Sequence, residues 1–104
     1  MQAQDVRLAT SDGDLSAYLA SPGRADGTRP GVIVLHELFG LNDDIRRIAR
    51  RFAENGYVAL APDLYSAGAG PRLLCIRRTM AALGSGRGRA FDDIEAARRW
   101  LAAR

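Results

Sequence analysis

The 104-residue sequence predicts an α/β domain that begins with a β-hairpin and continues as a parallel β–α–β unit. Two observations support this prediction. Apolar residues alternate along two early segments, and a later apolar run is followed by residues with the 3.6-residue period of a helix. The composition agrees, since 47% of the residues are hydrophobic and 26% are charged. These values are typical of a globular domain rather than a disordered chain.

The N-terminal hairpin is predicted from Asp5–Thr10 and Leu15–Ala20, which both alternate between apolar and polar residues. Between them lies Ser11-Asp12-Gly13-Asp14, a turn sequence whose glycine can adopt a positive φ. Each strand places three residues on a common side: Val6, Leu8 and Thr10 in the first, and Leu15, Ala17 and Leu19 in the second. The following segment, Ser21–Arg29, contains two glycines and a proline and is predicted to be a surface loop.

The parallel unit is predicted from Gly31 to Ala61. Gly31–Leu35 is a continuous apolar run, which is typical of a strand buried on both faces. Asn42 is a suitable N-cap for the helix that follows, and Asn55-Gly56 ends it. The apolar face of this helix comprises Ile45, Ile48, Ala49, Phe52 and Ala53. Tyr57–Ala61 is the second buried strand, so the three elements predict a right-handed crossover.

Two further helices are predicted before the last residue. The first starts near Pro71, ends at Gly84 and carries Leu73, Ile76, Met80 and Leu83 at helical spacing. The second has Asp92 and Asp93 in its first turn and a favourable Glu95–Arg99 pair. Its apolar side comprises Phe91, Ile94, Ala97 and Leu101. No third parallel strand follows, so we expect an incomplete sheet.

The charge distribution and the single cysteine bear on the partners, location and cofactors expected for this protein. The net charge is +3, and the excess of arginine lies after residue 70. These arginines are interleaved with acidic and apolar residues, so we expect no nucleic-acid partner. No apolar run is long enough for a membrane span and no signal peptide is recognisable, so a cytoplasmic location is expected. One histidine and one cysteine leave no metal-ligand cluster, and no cofactor is expected.

His36 and Glu37 are the candidate functional residues because they follow the first buried strand directly. Open α/β sheets bind their ligands at the carboxyl ends of strands. A carboxylate at Glu37 could orient or deprotonate a nucleophile, and the backbone N–H of Leu38 could stabilise an oxyanion. The alternative is structural: His36 caps the strand end and Glu37 pairs with an arginine.

Three segments of the sequence resemble the dienelactone hydrolase family of α/β-hydrolases, the carboxymethylenebutenolidase-like enzymes. They are Pro30–Asn42 with its His-Glu-x-Phe-Gly centre, Tyr57–Tyr65 with Pro-Asp-Leu-Tyr, and Phe91–Leu101. The resemblance implies that residues 1–104 form the N-terminal part of an α/β-hydrolase fold. This part would end before the strand that carries the nucleophile.

The resemblance also implies roles for individual residues. Glu37 corresponds to the glutamate that helps to activate a nucleophilic cysteine, and the N–H of Leu38 to part of the oxyanion hole. Arg77 and Arg78 lie where family members can bind a substrate carboxylate, although exposed helix arginine is the alternative. In the family, the nucleophile lies in a Gly-x-Cys-x-Gly elbow, and a later Asp and a later His complete the catalytic triad. Neither the elbow nor a histidine after His36 occurs in these 104 residues.

Three other features have simpler interpretations. Cys75 lies within a predicted helix without an elbow, so we interpret it as a small buried residue. Asp63 resembles a family residue and is expected to fix the turn after the second strand rather than to transfer protons. Gly84–Gly88 lacks the Lys-Ser/Thr ending of a phosphate-binding loop and is interpreted as a linker.

Two functions follow as hypotheses. In the first, the complete enzyme hydrolyses an enol-lactone or related small-molecule ester, and this chain is inactive alone. In the second, the chain is a non-catalytic remnant that acts, if at all, through association with another chain. Self-association through an open sheet edge would be one form of this second function.

Overall fold

The structure is a computed structural model in which an open four-stranded sheet carries helices on both faces. It describes residues 1–10, 13–23, 29–36, 40–66, 76–77, 79–81 and 89–103. Among the described residues, no helix is both long and apolar enough to cross a membrane.

The predicted hairpin is confirmed, with longer strands than expected. Strand β1 spans Gln2–Thr10 and pairs antiparallel with strand β2, Gly13–Ser21. Gly13 has a φ of 130°, a conformation that glycine adopts without steric cost. Ser11 and Asp12 lie outside the described residues.

The β–α–β unit is also confirmed, although its first strand is shorter than predicted. Strand β3 spans Gly31–Ile33, helix α1 spans Asp43–Glu54 and strand β4 spans Val58–Pro62. Strands β3 and β4 run parallel. Beyond Ile33 the ladder continues only through the N–H of Val34, which donates to the Leu60 carbonyl at 2.9 Å.

The prediction that Gly31–Leu35 is buried on both faces was wrong at the end of this run. Val34 is buried, but Leu35 is 47% exposed. The reason is the position of β3 in the strand order β1-β2-β4-β3, where it has one neighbour and forms an edge. Strand β4 instead occupies the interior position, and all of Ala59–Pro62 is buried.

Helix α1 begins and ends where the sequence predicted. The Asn42 side chain accepts a hydrogen bond from the Ile45 N–H at 3.0 Å, which satisfies a donor of the first turn. At the other end Gly56 has a φ of 94°. The apolar face of the helix is only partly buried, because Ile48 and Phe52 are 41% and 37% exposed.

Alternation along the central strands separates the core into two faces. On one face, Leu19 and Leu60 pack with Ala97 of the C-terminal helix. On the other, small residues allow α1 to approach the sheet closely. These residues are Ala20, Ala49, Ala53, Ala59 and Ala61.

The C-terminal helix, α2, spans Arg89–Ala102 and starts earlier than predicted. Asp92 therefore lies in its first turn, whereas Asp93 lies one residue further on and is buried. Ala97 is fully buried, whereas Phe91, which was also expected on the apolar side of this helix, is 38% exposed. The predicted ion pair is confirmed, since Arg99 lies 3.2 Å from the Glu95 carboxylate.

Glu95 also pairs with Arg98, one turn of α2 away. The Arg98 hydrogen bond is the largest cause that lowers the pKa of Glu95 to about 2, and Arg99 lowers it further. Both groups are exposed, so the pair contributes little to stability.

Residues 76, 77 and 79–81 are helical, as predicted. Met80, one of the apolar residues at helical spacing, is 36% exposed. Ile76, at another of these positions, is half-buried. Leu73 and Leu83 lie outside the described residues, as do Cys75 and Gly84–Gly88.

The Asn42 cap provides a test of the local fold. We expect Asn42→Ala to lower the free energy of unfolding by about 1 kcal/mol, because the Ile45 N–H loses its acceptor. Urea denaturation measures the change. Asn42→Asp is the matched control, since it retains an oxygen at the same place and should keep most of the stability. Equal losses in both variants would contradict the capping role.

Candidate active site at the carboxyl ends of β3 and β4

The candidate site lies where β3 and β4 end side by side. Val32 is opposite Ala59 and Ile33 is opposite Leu60. Counting on in this register places His36 beside Asp63, the first residue after β4. The parallel pairing thus brings together the two segments that the sequence analysis singled out.

His36 binds the turn that follows β4. Its Nε2 atom accepts a hydrogen bond from the backbone N–H of Leu64 at 2.9 Å. The side chain is only 1% exposed, and its ring centre lies 4.8 Å from that of Tyr65 at an interplanar angle of 59°. The structure therefore places His36 as a buried cap of the strand end, which was the alternative interpretation of this residue.

Asp63 shapes the same turn. Its Oδ1 atom accepts from the Tyr65 N–H at 3.1 Å and lies 3.8 Å from His36 Nε2. Its carbonyl accepts from both the N–H and the hydroxyl of Ser66, at 3.0 and 2.7 Å. The N–H of Ser16 donates to that hydroxyl at 2.9 Å, which connects the turn to β2. These contacts support the turn-fixing role expected of Asp63.

After His36, the next residue that the structure describes is Gly40. Gly40 is buried and has a φ of 78°, which favours glycine. Helix α1 starts three residues later, so its positive dipole end lies close in the chain to the candidate site. Glu37, Leu38 and Phe39 lie outside the described residues, and the roles of Glu37 and Leu38 stay predictions.

Thr79 is a site contact that the sequence analysis missed. It is buried, and its hydroxyl donates to the Leu64 carbonyl at 3.3 Å. Nothing in the local sequence pattern marks a threonine in a helix as a contact of a distant turn. Arg77, two residues earlier in the chain, is helical and exposed, whereas Arg78 lies outside the described residues. Their predicted role in substrate binding stays a prediction.

Two polar atoms of the candidate site, His36 Nε2 and Asp63 Oδ1, are engaged in structural hydrogen bonds. Because His36 Nε2 already accepts the Leu64 N–H, the same atom cannot also accept a proton from a nucleophile in this arrangement. Asp63 Oδ1 is likewise engaged with the turn. The described residues thus hold two strand ends together, and the predicted chemistry depends on the adjoining residues Glu37 and Leu38.

An open sheet with helices on both faces is the architecture of α/β proteins, and solved structures of α/β-hydrolases share it. Among solved structures, a candidate dienelactone hydrolase from Klebsiella pneumoniae matches with a TM-score of 0.76 and 28% identity. The alignment covers 98% of this chain and 44% of that one.

The family assignment follows from the sequence comparison. The model of the dienelactone hydrolase family matches residues 15–104, and the chain belongs to this family. A candidate carboxymethylenebutenolidase of Salmonella typhi is 52% identical over 52 residues, which is 50% of this chain and 19% of that protein. Its counterpart in Yersinia pestis is 50% identical over 61 residues, or 59% of this chain and 23% of that protein. The matched stretches thus span about a fifth of these curated relatives.

The turn at Asp63 can be tested by substitution. We expect Asp63→Ala to reduce the free energy of unfolding by about 1 kcal/mol, because the Tyr65 N–H loses its acceptor. Asp63→Asn keeps an oxygen acceptor and should behave almost as the wild type. Thermal and urea melts at neutral pH compare the two. If Asp63→Asn were as harmful as Asp63→Ala, the charge of Asp63 rather than its acceptor would be the important property.

Proposed function

We propose that this chain contributes the nucleophile-activating part of a dienelactone hydrolase site. Glu37 assists deprotonation of a cysteine nucleophile, and the N–H of Leu38 supplies half of an oxyanion hole. The substrate is an enol-lactone or a related small ester. The observation that supports this most is the family match over residues 15–104, which includes the His-Glu motif at the end of β3.

The proposed reaction needs a nucleophile that these 104 residues do not supply. No serine or cysteine of the sequence has glycines two positions before and two after it, as an elbow requires. The only histidine, His36, accepts a backbone hydrogen bond instead of facing a nucleophile. We therefore propose that the chain alone does not turn over esters, and that activity needs the elbow and the remaining triad residues.

The proposal also assigns substrate binding to arginine. Arg77 is exposed and lies two residues before Thr79, whose hydroxyl donates to the Leu64 carbonyl at the candidate site. A guanidinium at this place could bind the carboxylate of a dienelactone in a bidentate manner. Arg78, its neighbour in the sequence, is the second candidate for this role.

A chimeric enzyme tests the role of Glu37. These 104 residues would replace the matching part of the Klebsiella pneumoniae protein, and hydrolysis of dienelactone and p-nitrophenyl acetate would be measured. We expect the chimera to be active and Glu37→Gln to lower its kcat by about 10²- to 10⁴-fold, because the nucleophile loses its activating carboxylate. Glu54→Gln is the matched control, since Glu54 is exposed at the far end of α1.

The separate 104-residue chain completes that experiment. We expect no turnover above the background of its own Glu37→Gln variant. Turnover by the separate chain that disappears in Glu37→Gln would contradict the proposed inactivity. A folded chimera whose kcat is unchanged in Glu37→Gln would exclude the activating role.

A second candidate function is self-association at the outer edge of β3. Among the described strands, β3 pairs only with β4. Leu35, at the end of this edge, is 47% exposed. Arg50 donates to the Tyr18 hydroxyl at 3.0 Å, which directs one flank of α1 toward β2. Ile48 and Phe52 lie roughly on the opposite flank, at about 100° per residue, and hence on the β3 side.

This arrangement favours a second copy of the chain as the occupant of the edge. Unpaired backbone groups on an edge strand can pair with another strand, and exposed apolar side chains beside them add buried surface. A twofold contact would place the same edge of both copies together.

Sedimentation velocity tests this alternative. We expect a concentration-dependent sedimentation coefficient that is lost in Ile48→Glu, because the variant buries a charge in the contact. Ala9→Glu introduces the same charge at an exposed position of β1, the opposite edge of the sheet, and should leave association intact. A wild-type chain that is monomeric at all concentrations would exclude this function.

A further inference from the structure

We propose, building on the role given to Glu37 above, that His36 is a positioning residue whose neutral imidazole attaches the end of β3 to the Leu64 backbone and so locates Glu37. The chemical basis is the hydrogen bond between the Leu64 N–H and His36 Nε2, 2.9 Å long. An N–H can donate only to a nitrogen with a free lone pair. The proton of the neutral ring must therefore lie on Nδ1.

The surroundings of the ring favour this single arrangement. The His36 side chain is 1% exposed, so water competes little for Nε2. The centre of the tilted Tyr65 ring lies 4.8 Å from that of the imidazole, and Asp63 Oδ1 lies 3.8 Å from Nε2. Asp63 and Tyr65 are the ionisable groups that the turn places against the imidazole. Protonation of Nε2 would set a donor against the Leu64 donor and break the hydrogen bond.

The end of β3 depends on this attachment because its sheet pairing stops early. The strand ends at Ile33, and Val34 makes the last backbone bond to β4. Leu35, the next residue, is 47% exposed and so contributes little burial there. The imidazole of His36 therefore provides a second point of attachment, two residues after the last ladder bond and immediately before Glu37.

Covalent geometry passes the restraint on His36 to the next residue of the chain. Consecutive Cα atoms are about 3.8 Å apart, so a fixed His36 limits where the Glu37 side chain can start. The chain is held again at Gly40, which is buried just before the capped helix α1. Catalytic groups must be held within about 0.5 Å of their working geometry, which an unattached strand end would not achieve.

Nuclear magnetic resonance on the 104-residue chain tests the hydrogen bond itself. We expect ring ¹⁵N shifts that show Nε2 unprotonated at pH 8, and a Leu64 amide protected from hydrogen exchange. His36→Leu removes the acceptor and should reduce this protection by roughly fivefold to tenfold. His36→Gln retains an acceptor oxygen and should preserve it, while the amides of β4 serve as internal controls.

The pH profile separates this role from simple packing. In the wild type, Leu64 protection should fall as the pH is lowered through the titration of His36, whereas in His36→Gln it should not change there. A protonated Nε2 at pH 8, or a Leu64 protection that does not follow the His36 titration, would overturn the proposal. This comparison remains decisive if His36→Leu fails to fold.

The chimera described above tests the effect on catalysis. We expect His36→Leu to lower kcat by about 10- to 100-fold with little change in KM, and His36→Gln to restore most of it. An inactive wild-type chimera would refute the proposed function but leave the hydrogen-bond result intact. An active chimera whose kcat is the same in His36→Leu would refute the positioning role alone.

Discussion

Strand β4 is the constraint on which the rest of the structure depends. It pairs antiparallel with β2 on one side and parallel with β3 on the other, so it joins the hairpin to the β–α–β unit. Its residues Ala59–Pro62 are buried, and Ala59–Ala61 pack against helices on the two faces of the sheet. Leu60 faces one helix and the alanines beside it face the other. Loss of this strand would separate the two parts of the sheet.

The end of β4 also explains why the site lies where it does. Pro62 has no N–H to continue the ladder, and the chain turns at Asp63. The backbone donors of the turn then find other acceptors: Asp63 N–H donates to Ser16 O at 2.8 Å, and Leu64 N–H to His36. A backbone group released by the end of a strand thus becomes the partner of the residue next to Glu37.

The two sides of α1 differ in how far their side chains are covered by the sheet. Arg46 and Arg50 contact Tyr18 of β2, which closes that side of the helix with a polar contact. Ile48 and Phe52 are exposed on the other side of the helix, the side that faces away from β2. The proposed self-association depends on this exposed side of the helix.

Local signals in the sequence determined the hairpin, both ends of α1 and the strands of the parallel unit. Alternation at Leu15–Ala20 and the Asn42 cap involve neighbouring residues, so they can be read without knowledge of the fold. The family resemblance likewise identified the His36-Glu37 motif. Only the tertiary structure decided that β2 pairs with β4, that Ile48 and Phe52 stay exposed, and that His36 binds Leu64. The last contact joins residues 28 positions apart, and such pairs depend on strand order and register, which no local pattern contains.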